Sequence, residues 1–278
     1  MTFTVVADSC CDLTSSMRAT GPFCLVPLTI HVSDQAFTDD NTLRCEHLLA
    51  AMGKCTEAPH TSCPSPADYL KAFENAEGDI YVVTLSALLS GSHNAARQAA
   101  VIFLEEHPDR NIQVFNSCSA SAGEVLLALK LNELAASGLP FTEVVQQANQ
   151  FITELNTLFI LENLDNLKKN GRLTRLQAAV TGALHIKLLM GATPEGEICK
   201  RGQALSIKQG LSKLIQMMYT DQKHYGKTLC IAHCNCQERA EELRIQALKH
   251  CDFREVLICP THGISTVYAN NCGIVCAY

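Results

Sequence analysis

The sequence lacks tryptophan, and aromatic residues make up only 6% of its 278 residues. Rings on which bases or sugars could stack are therefore scarce. The net charge is −6, so the chain also lacks the basic excess typical of proteins that bind nucleic acid. No apolar run approaches the ~18 residues needed to cross a bilayer. We therefore expect neither an integral membrane protein nor a protein whose main partner is nucleic acid.

Several catalytic and targeting motifs are missing as well. The first eight residues lack a basic start followed by an apolar stretch, so we expect no secretory signal and a cytoplasmic location. No Gly-x-x-x-x-Gly-Lys-Ser/Thr loop is present, and no Gly-x-Gly-x-x-Gly follows the first predicted strand. The Gly-x-Ser-x-Gly elbow of serine hydrolases is also absent. These absences argue against nucleotide binding by the common loops and against an elbow-type hydrolase.

What is present is a globular composition with an unusual number of cysteines. Apolar residues make up 47% and charged residues 18% of the chain, which suits one or two domains with a sizeable core. There are 15 cysteines, an odd number in a long chain without a signal, which favours reduced thiols. Several, such as Cys230 and Cys259, lie within apolar runs, where we expect them to act as small hydrophobic side chains.

The first half of the chain alternates short β-branched runs with helical stretches. Strands are predicted over 3–7, 79–85 and 111–115, and helices after Ser65-Pro66, from Ser92 onward and over 119–136. Ser65, Pro66 and Asp68 form a helix start with an N-cap, a proline in the first turn and a carboxylate at the third position. Apolar strands alternating with helices are typical of a parallel sheet. We therefore predict an α/β domain over residues 1–155.

The second half has a different pattern. Thr193-Pro194-Glu195-Gly196 predicts a hairpin turn between adjacent strands, and Asn170-Gly171 predicts a left-handed helix end. The expected strands are 158–161, 187–192, 198–201, 228–232, 255–259 and 273–277, and the expected helices are 164–169, 205–218 and 237–250. Hairpin strands mixed with helices favour an α+β domain over residues 156–278 with a mixed or antiparallel sheet.

Small polar clusters follow each strand of the first half: Asp8-Ser9, then 86–92, then 116–119. The carboxyl ends of parallel strands meet at one edge of a sheet, where ligands bind. In Ser90-Gly91-Ser92, glycine allows close backbone approach and the helix start offers free N–H groups, which suits a carboxylate or phosphate. An ordinary N-cap after a glycine turn explains the same residues. Thr61 and Ser62 add two hydroxyls on a predicted loop.

For three further groups of residues, the sequence pattern allows both a functional and a structural interpretation. Ser90, His262 and Asp8 form a catalytic triad only if folding brings them together. The segment 233–236, His-Cys-Asn-Cys, resembles a metal cluster, but its spacing matches no common zinc motif and a thiol cluster explains it equally. The basic segment 168–175 is either a solvated helix end or an anion or partner site, and Lys200-Arg201 poses the same alternatives.

Taken together, these segments resemble the DegV family of bacterial fatty-acid-binding proteins along the whole chain. The matching pieces, in order, are Val6-Ala7-Asp8-Ser9-Cys10-Cys11-Asp12-Leu13, Val26-Pro27-Leu28, Thr61-Ser62-Cys63-Pro64-Ser65-Pro66, Ser86-Ala87-Leu88-Leu89-Ser90-Gly91-Ser92, Asn116-Ser117, residues 164–173 with Lys168-Lys169-Asn170-Gly171-Arg172-Leu173, and Pro260-Thr261-His262-Gly263. Each piece is weak, but seven in the right order are specific.

The resemblance implies a two-domain fold with a long-chain fatty acid, such as palmitate or stearate, bound non-covalently between the domains. It implies that Thr61 and Ser90 hold the carboxylate, together with Ser62 and Gly91, and that His262 lies near the head group. Arg201 and Arg172 correspond to residues implicated in partner binding. Some members present the fatty acid to a separate ATP-dependent kinase that makes acyl phosphate, so the resemblance implies no catalytic residue, no metal and no cofactor beyond the lipid.

Three departures from the family pattern affect the expected site. His93 stands where members often have tyrosine, which adds a titratable group. Gly263-Ile264-Ser265-Thr266 replaces the usual glycine-proline-glycine, and Asn170 replaces the first of two glycines. The alternative function is a hydrolase or transferase that acts on a small acyl or phosphorylated substrate at the strand ends. A third hypothesis, a metal or redox protein, rests on the cysteines.

Overall fold

The computed structural model describes residues 2–55, 57–173, 186–221 and 223–278. Within these ranges the strands are β1 (Phe3–Asp8), β2 (Phe23–Val26), β3 (Thr29–Val32), β4 (Gln35–Thr38), β5 (His60–Ser62), β6 (Asp79–Thr84), β7 (Ile112–Asn116), β8 (Thr157–Ile160), β9 (Lys187–Ala192), β10 (Ile198–Ala204), β11 (Thr228–His233), β12 (Glu255–Pro260) and β13 (Ile274–Ala277). The helices are α1 (Ser15–Arg18), α2 (Cys45–Lys54), α3 (Pro66–Glu74), α4 (Ser92–Glu106), α5 (Ala122–Ala136), α6 (Phe141–Glu154), α7 (Asp165–Lys169), α8 (Ile207–Asp221), α9 (Gln237–His250) and α10 (Gly263–Ala269).

The first sheet has the order β2-β1-β6-β7, and all its pairings are parallel. Side chains alternate along each strand, so successive residues enter two different cores. Val6 and Val82 pack with α3 and α4, whereas Val5 and Val83 pack against α5. Both faces are covered, which explains why these strands read as continuous apolar runs. The predicted parallel α/β part of the fold is confirmed.

The second sheet has the order β10-β9-β8-β13-β11-β12. Only β11 and β12 run parallel; the other pairs are antiparallel, including the predicted hairpin β9–β10. One face packs on α8 and α9 through residues such as Leu214 and Leu243. This mixed sheet confirms the fold class expected for the second half.

Helix α5 lies between the two sheets. Its residues share one core with Val5 and Val83 of the first sheet and with Cys230 and Ala277 of the second. All residues of α5 from Ala122 to Ala128 are buried. A helix that is apolar on every side is typically buried on every side. Because α5 joins both cores, the division at residues 155 and 156 stays a prediction.

A third sheet, of order β4-β3-β5 and antiparallel throughout, was not predicted. Its strands have only three or four residues, too few for a clear alternating pattern. Thr61 and Ser62 belong to β5, so their assignment to a loop was wrong. Helices α2, α6 and α10 were also missed. No helix of the described residues is long and apolar enough to cross a membrane.

Local signals that the sequence did identify are present in the structure. Ser65 and Asp68 form a reciprocal capping box at the start of α3. Gly171, just after α7, adopts φ +77°, the left-handed conformation predicted there. All 15 cysteines are free thiols, and seven of them are buried, which fits their expected role as small hydrophobic side chains.

The hairpin tip between β9 and β10 is anchored to the first sheet. Ser86 Oγ donates to the carbonyl of Gly196 at 2.7 Å. Gly196 has φ +87°, and a Cβ there would lie 2.4 Å from Ser86 Oγ and 2.7 Å from Cys118 Cα. Only glycine therefore allows this contact between the two sheets.

We predict that Gly196→Ala lowers the free energy of unfolding by about 3 kcal/mol or more, since it adds a steric clash to left-handed backbone strain. Gly138→Ala is the matched control, because Gly138 has φ +81° but a Cβ there would meet no atom within 4 Å. We expect Gly138→Ala to lower the free energy of unfolding by only about 1–2 kcal/mol. Urea unfolding of both variants measures the difference; equal losses would contradict the proposed anchor.

Candidate ligand-binding site

The polar clusters that follow the strands of the first sheet lie together, as predicted. Ser86 N–H donates to the carbonyl of Ser119 at 2.8 Å, and Ala87 N–H donates to Asn116 Oδ1 at 3.0 Å. These bonds join the segments after β6 and β7. They fix the loops that face the second sheet.

Asp8 lies at the centre of this edge, at the end of β1, and is fully buried. Its carboxylate accepts hydrogen bonds from Ser92 Oγ at 2.6 Å, Leu85 N–H at 3.0 Å and Cys10 N–H at 3.1 Å. Burial raises the pKa of Asp8, although these hydrogen bonds oppose the shift. The carboxylate thus ties the end of β1 to the end of β6 and to the start of α4.

Glu124, in the first turn of α5, is also fully buried and interacts with Asp8 and Cys10. Burial, and then the proximity of Asp8, raises the pKa of Glu124 well above its usual range. Its Oε2 has no hydrogen-bond partner in the described part of the structure. Two adjacent buried charges would repel each other, so the proximity of Asp8 favours the protonated form of Glu124.

An apolar cavity lies between these loops and the second sheet. The cavity volume is about 110 Å³. This is several times the roughly 10–15 Å³ that one water molecule requires. Its lining includes Leu85, Leu89, Phe159, Leu161, Leu167, Ile198, Ile264 and Val275. Among the lining hydroxyls, Ser119 and Thr157 bond to each other at 2.7 Å, and Ser121 donates to Asp12 at 2.5 Å. The wall suits an apolar ligand.

Two polar side chains of the cavity wall contact each other. Arg172 and Tyr268 both line it. Arg172 Nε donates to the carbonyl of Leu89 at 3.1 Å, and its guanidinium carbon lies 5.6 Å from the centre of the Tyr268 ring. The Tyr268 hydroxyl is 2.7 Å from Thr61 Oγ1. Arg172 and the hydroxyl pair of Tyr268 and Thr61 thus lie next to each other at a mainly apolar cavity.

The Ser90–Gly91 turn lies near both Arg172 and the Thr61 strand. It directly follows Leu89, and a Cβ on Gly91 would lie 3.0 Å from Cys63 Sγ, two residues after Thr61. Ser90 Oγ accepts a hydrogen bond from Ser92 N–H at 3.2 Å. The structure therefore brings the Thr61 and Ser90 segments together, although neither side chain lines the cavity itself.

Ser62 and His262 lie elsewhere. Ser62 is exposed and bonds His31 Nε2 at 3.3 Å, because neighbouring side chains on a strand point to opposite faces. His262 is the N-cap of α10, and Tyr268 lies six residues further on, about 9 Å along the helix axis. In the described part of the structure, neither side chain hydrogen-bonds to Thr61 or Tyr268.

Two buried carboxylates hold the start of α10. Asp12 accepts from His262 N–H at 2.6 Å, and Asp39 accepts from the N–H groups of Gly263 and Ile264 at 2.7 and 2.9 Å. Burial raises the pKa of Asp12 to about 6 and also raises that of Asp39. Burial lowers the pKa of His262. These bonds fix the helix that carries Tyr268.

His93 does not supply a cation to this region at neutral pH. Burial and the nearby Arg97 lower the pKa of His93, and its Nδ1 lies 3.1 Å from Thr84 Oγ1. Arg201 is exposed on β10 and donates to the carbonyl of Ala192 at 2.8 Å, outside the cavity wall. Arg172, by contrast, is half-buried and faces the cavity, which the sequence did not indicate.

The alternative constellations gain little support. Asp8 bonds Ser92 rather than a histidine ring, so the suggested triad lacks its carboxylate partner. His233 Nδ1 accepts from Cys236 N–H at 3.3 Å instead of pointing with the thiols toward a common centre. Among the described residues, the only group of three potential metal ligands is the largely exposed set Glu74, Glu106 and His107.

We predict that the stability difference between wild type and Asp12→Asn depends on pH. The folded state binds the Asp12 proton more tightly than the unfolded state, so this contribution is complete below pH about 4 and is lost as pH rises through about 6. From pH 4 to 7, wild type should lose on the order of 2–3 kcal/mol relative to the variant.

Urea unfolding at several pH values measures this difference, and Asp34→Asn, at an exposed turn, controls for the loss of one surface carboxylate. A difference that stays constant from pH 4 to 7 would contradict the assignment of a raised pKa to Asp12.

The chain is similar to known proteins along its whole length. A curated DegV domain-containing protein of Streptococcus pneumoniae is 38% identical over 290 aligned positions, covering 100% of this chain and 99% of the relative. A DegV family protein of Ruminococcus gnavus, whose crystal structure was refined with vaccenic acid, superimposes with a TM-score of 0.95 at 44% identity, over 99% of both chains.

The Streptococcus pneumoniae fatty acid kinase (Fak) B3 protein, loaded with linoleic acid, gives a TM-score of 0.91 at 36% identity, over 100% of this chain and 99% of that one. A family model described as "Uncharacterised protein, DegV family" matches residues 2–277. The chain belongs to the DegV family.

Proposed function

We propose that this protein binds a long-chain fatty acid, with the acyl chain in the cavity between the two sheets and the carboxylate near Thr61 and Ser90. The observation that carries the proposal is a mainly apolar cavity whose wall includes a cation, Arg172, packed against Tyr268, which bonds to Thr61. A ligand with a long apolar tail and an anionic head group matches this arrangement. The site lies between the proposed domains 1–155 and 156–278.

The energetics favour a lipid over a small polar metabolite. A C16 chain buries ~14 methylenes, and at ~0.8 kcal/mol each the tail contributes ~11 kcal/mol before the costs of binding. A hydroxyl hydrogen bond to a carboxylate contributes only ~1.5–3 kcal/mol. The tail therefore sets affinity, whereas the polar end sets orientation.

The head-group residues have the right hydrogen-bonding capacity. Ser90 Oγ already accepts from Ser92 N–H, so its own proton is directed elsewhere and is available to a carboxylate. Gly91 leaves the backbone open at the start of α4, a helix of 15 residues whose N-terminal dipole favours an anion. Thr61 supplies a second hydroxyl. Ser62 is omitted because it faces away, and His262 is assigned to the start of α10.

Two solved relatives support this ligand class. The Ruminococcus gnavus protein was refined with vaccenic acid, and the Streptococcus pneumoniae protein was loaded with linoleic acid. The name of the second protein also supports a role in presenting the acid to a fatty-acid kinase. We propose that this role is carried out in the cytoplasm. Arg201, exposed beside the cavity wall, remains the proposed partner contact, with Arg172 as a second candidate. In this role the protein performs no catalysis itself and needs no cofactor beyond the lipid.

Organic extraction of the purified protein, followed by mass spectrometry, tests the function. We expect about one fatty acid per chain, and palmitate should rebind after delipidation. Recovery of no fatty acid together with no binding of added palmitate would exclude the proposal. Esterase and phosphatase activity should stay at background, whereas turnover by the pure protein would favour the hydrolase alternative.

We predict that Thr61→Val and Ser90→Ala each weaken palmitate binding about ten- to a hundredfold, because each removes a donor to a charged acceptor. Ser62→Ala is the matched control: Ser62 adjoins Thr61 in the chain but faces His31, so its affinity should stay within twofold of wild type. Isothermal titration of the delipidated proteins measures the affinities. Unchanged affinity in both Thr61→Val and Ser90→Ala would contradict the head-group assignment.

A further inference from the structure

We infer that Tyr268 is a positioning residue for the carboxylate: its hydroxyl orients and polarises the hydroxyl of Thr61. This inference rests on the proposed function and deepens it, because it adds a residue that neither the sequence pattern nor the family resemblance indicated. Tyr268 lies in the last turn of α10, half-buried, and its side chain forms part of the cavity wall.

The hydroxyls of Tyr268 and Thr61 are 2.7 Å apart, so one donates to the other. A phenol is a stronger acid than an aliphatic hydroxyl and is therefore the better hydrogen-bond donor. When Tyr268 donates to Thr61 Oγ1, the proton of Thr61 points away from the phenol and is directed to a second acceptor. A carboxylate oxygen is such an acceptor, and donors in a chain strengthen one another.

The ring of Tyr268 has a second neighbour that restricts it. The Arg172 guanidinium carbon lies 5.6 Å from the ring centre, within the range of a cation–π contact. Arg172 is itself held by the carbonyls of Leu89 and Asn170, at 3.1 and 2.6 Å. Tyr268 therefore contacts both Thr61 on β5 and Arg172, which is bound to the residue before Ser90.

The backbone that carries Tyr268 is also fixed. Asp12 and Asp39 bind the first N–H groups of α10, as described above, and the side chain of Asn166 on α7 donates to the carbonyl of Val267 at 2.7 Å. A hydroxyl on such a rigid support is oriented before the ligand arrives, so little reorganisation is needed on binding.

The test uses delipidated full-length protein and two ligands, palmitate and 1-hexadecanol, which share a tail but differ in head-group charge. Tyr268→Phe retains the ring and removes only the hydroxyl. We expect it to weaken palmitate binding about three- to tenfold and hexadecanol binding less than twofold, since hydrogen bonds to charged acceptors are the stronger ones.

In the Thr61→Val background the same substitution should change palmitate affinity less than twofold, because the hydroxyl that Tyr268 orients is gone. Tyr219→Phe, at an exposed tyrosine of α8 outside the cavity, is the control for loss of a phenol and should match wild type. Urea unfolding of each variant reports on the fold separately from ligand affinity.

The outcomes separate this inference from the proposed function. If wild type binds no palmitate, the proposed function fails and the inference falls with it. If wild type binds but Tyr268→Phe binds equally well, only the inference is overturned. Equal weakening of palmitate and hexadecanol would also overturn it, since that result assigns Tyr268 to packing. An undiminished effect in the Thr61→Val background would overturn it as well, since the phenol would then act without Thr61.

Discussion

The buried carboxylate of Asp8 determines how the ligand-facing edge of the first sheet is arranged. Its two oxygens accept hydrogen bonds from the segments that follow β1 and β6 and from the first residue of α4. A buried charge is costly unless such donors surround it, so these segments are held close together. Ser92, bound to Asp8, also donates its N–H to Ser90. The position of the proposed head-group serine thus follows from a carboxylate that lies outside the cavity wall.

The proposed function follows from where this edge lies in the fold. The strand ends of the first sheet face the second sheet, and the cavity forms between them, with walls from both. Helix α5 packs against both sheets and holds them in register with each other. The apolar wall explains a preference for a hydrocarbon tail. The hydroxyls of Thr61 and Tyr268 and the guanidinium of Arg172 explain a preference for an acid at one end.

Much of this arrangement was predictable from sequence, for physical reasons. Strands such as β1 and β6 are buried on both faces, so their sequences are continuous apolar runs that are easily recognised. In a parallel sheet the carboxyl ends of the strands lie at one edge, so the polar residues that follow them lie close together. The resemblance supplied the pairing of Thr61 with Ser90, which lie 29 positions apart. Strands β3 to β5 were missed because three or four residues carry too little periodicity. Tyr268 was missed because its hydroxyl meets Thr61 only through the tertiary fold, 207 positions away. The place of Arg172 in the cavity wall was missed because a basic helix end does not reveal which way a long side chain points.

The central claim concerns where each end of the ligand lies, and a crystal structure of the complex with an ω-brominated palmitate tests it most directly. The anomalous signal of the bromine should lie in the cavity among Phe159, Ile198 and Val275, with the carboxylate within hydrogen-bond distance of Thr61 and Ser90. A bromine found in solvent, or a carboxylate away from these hydroxyls, would contradict the account.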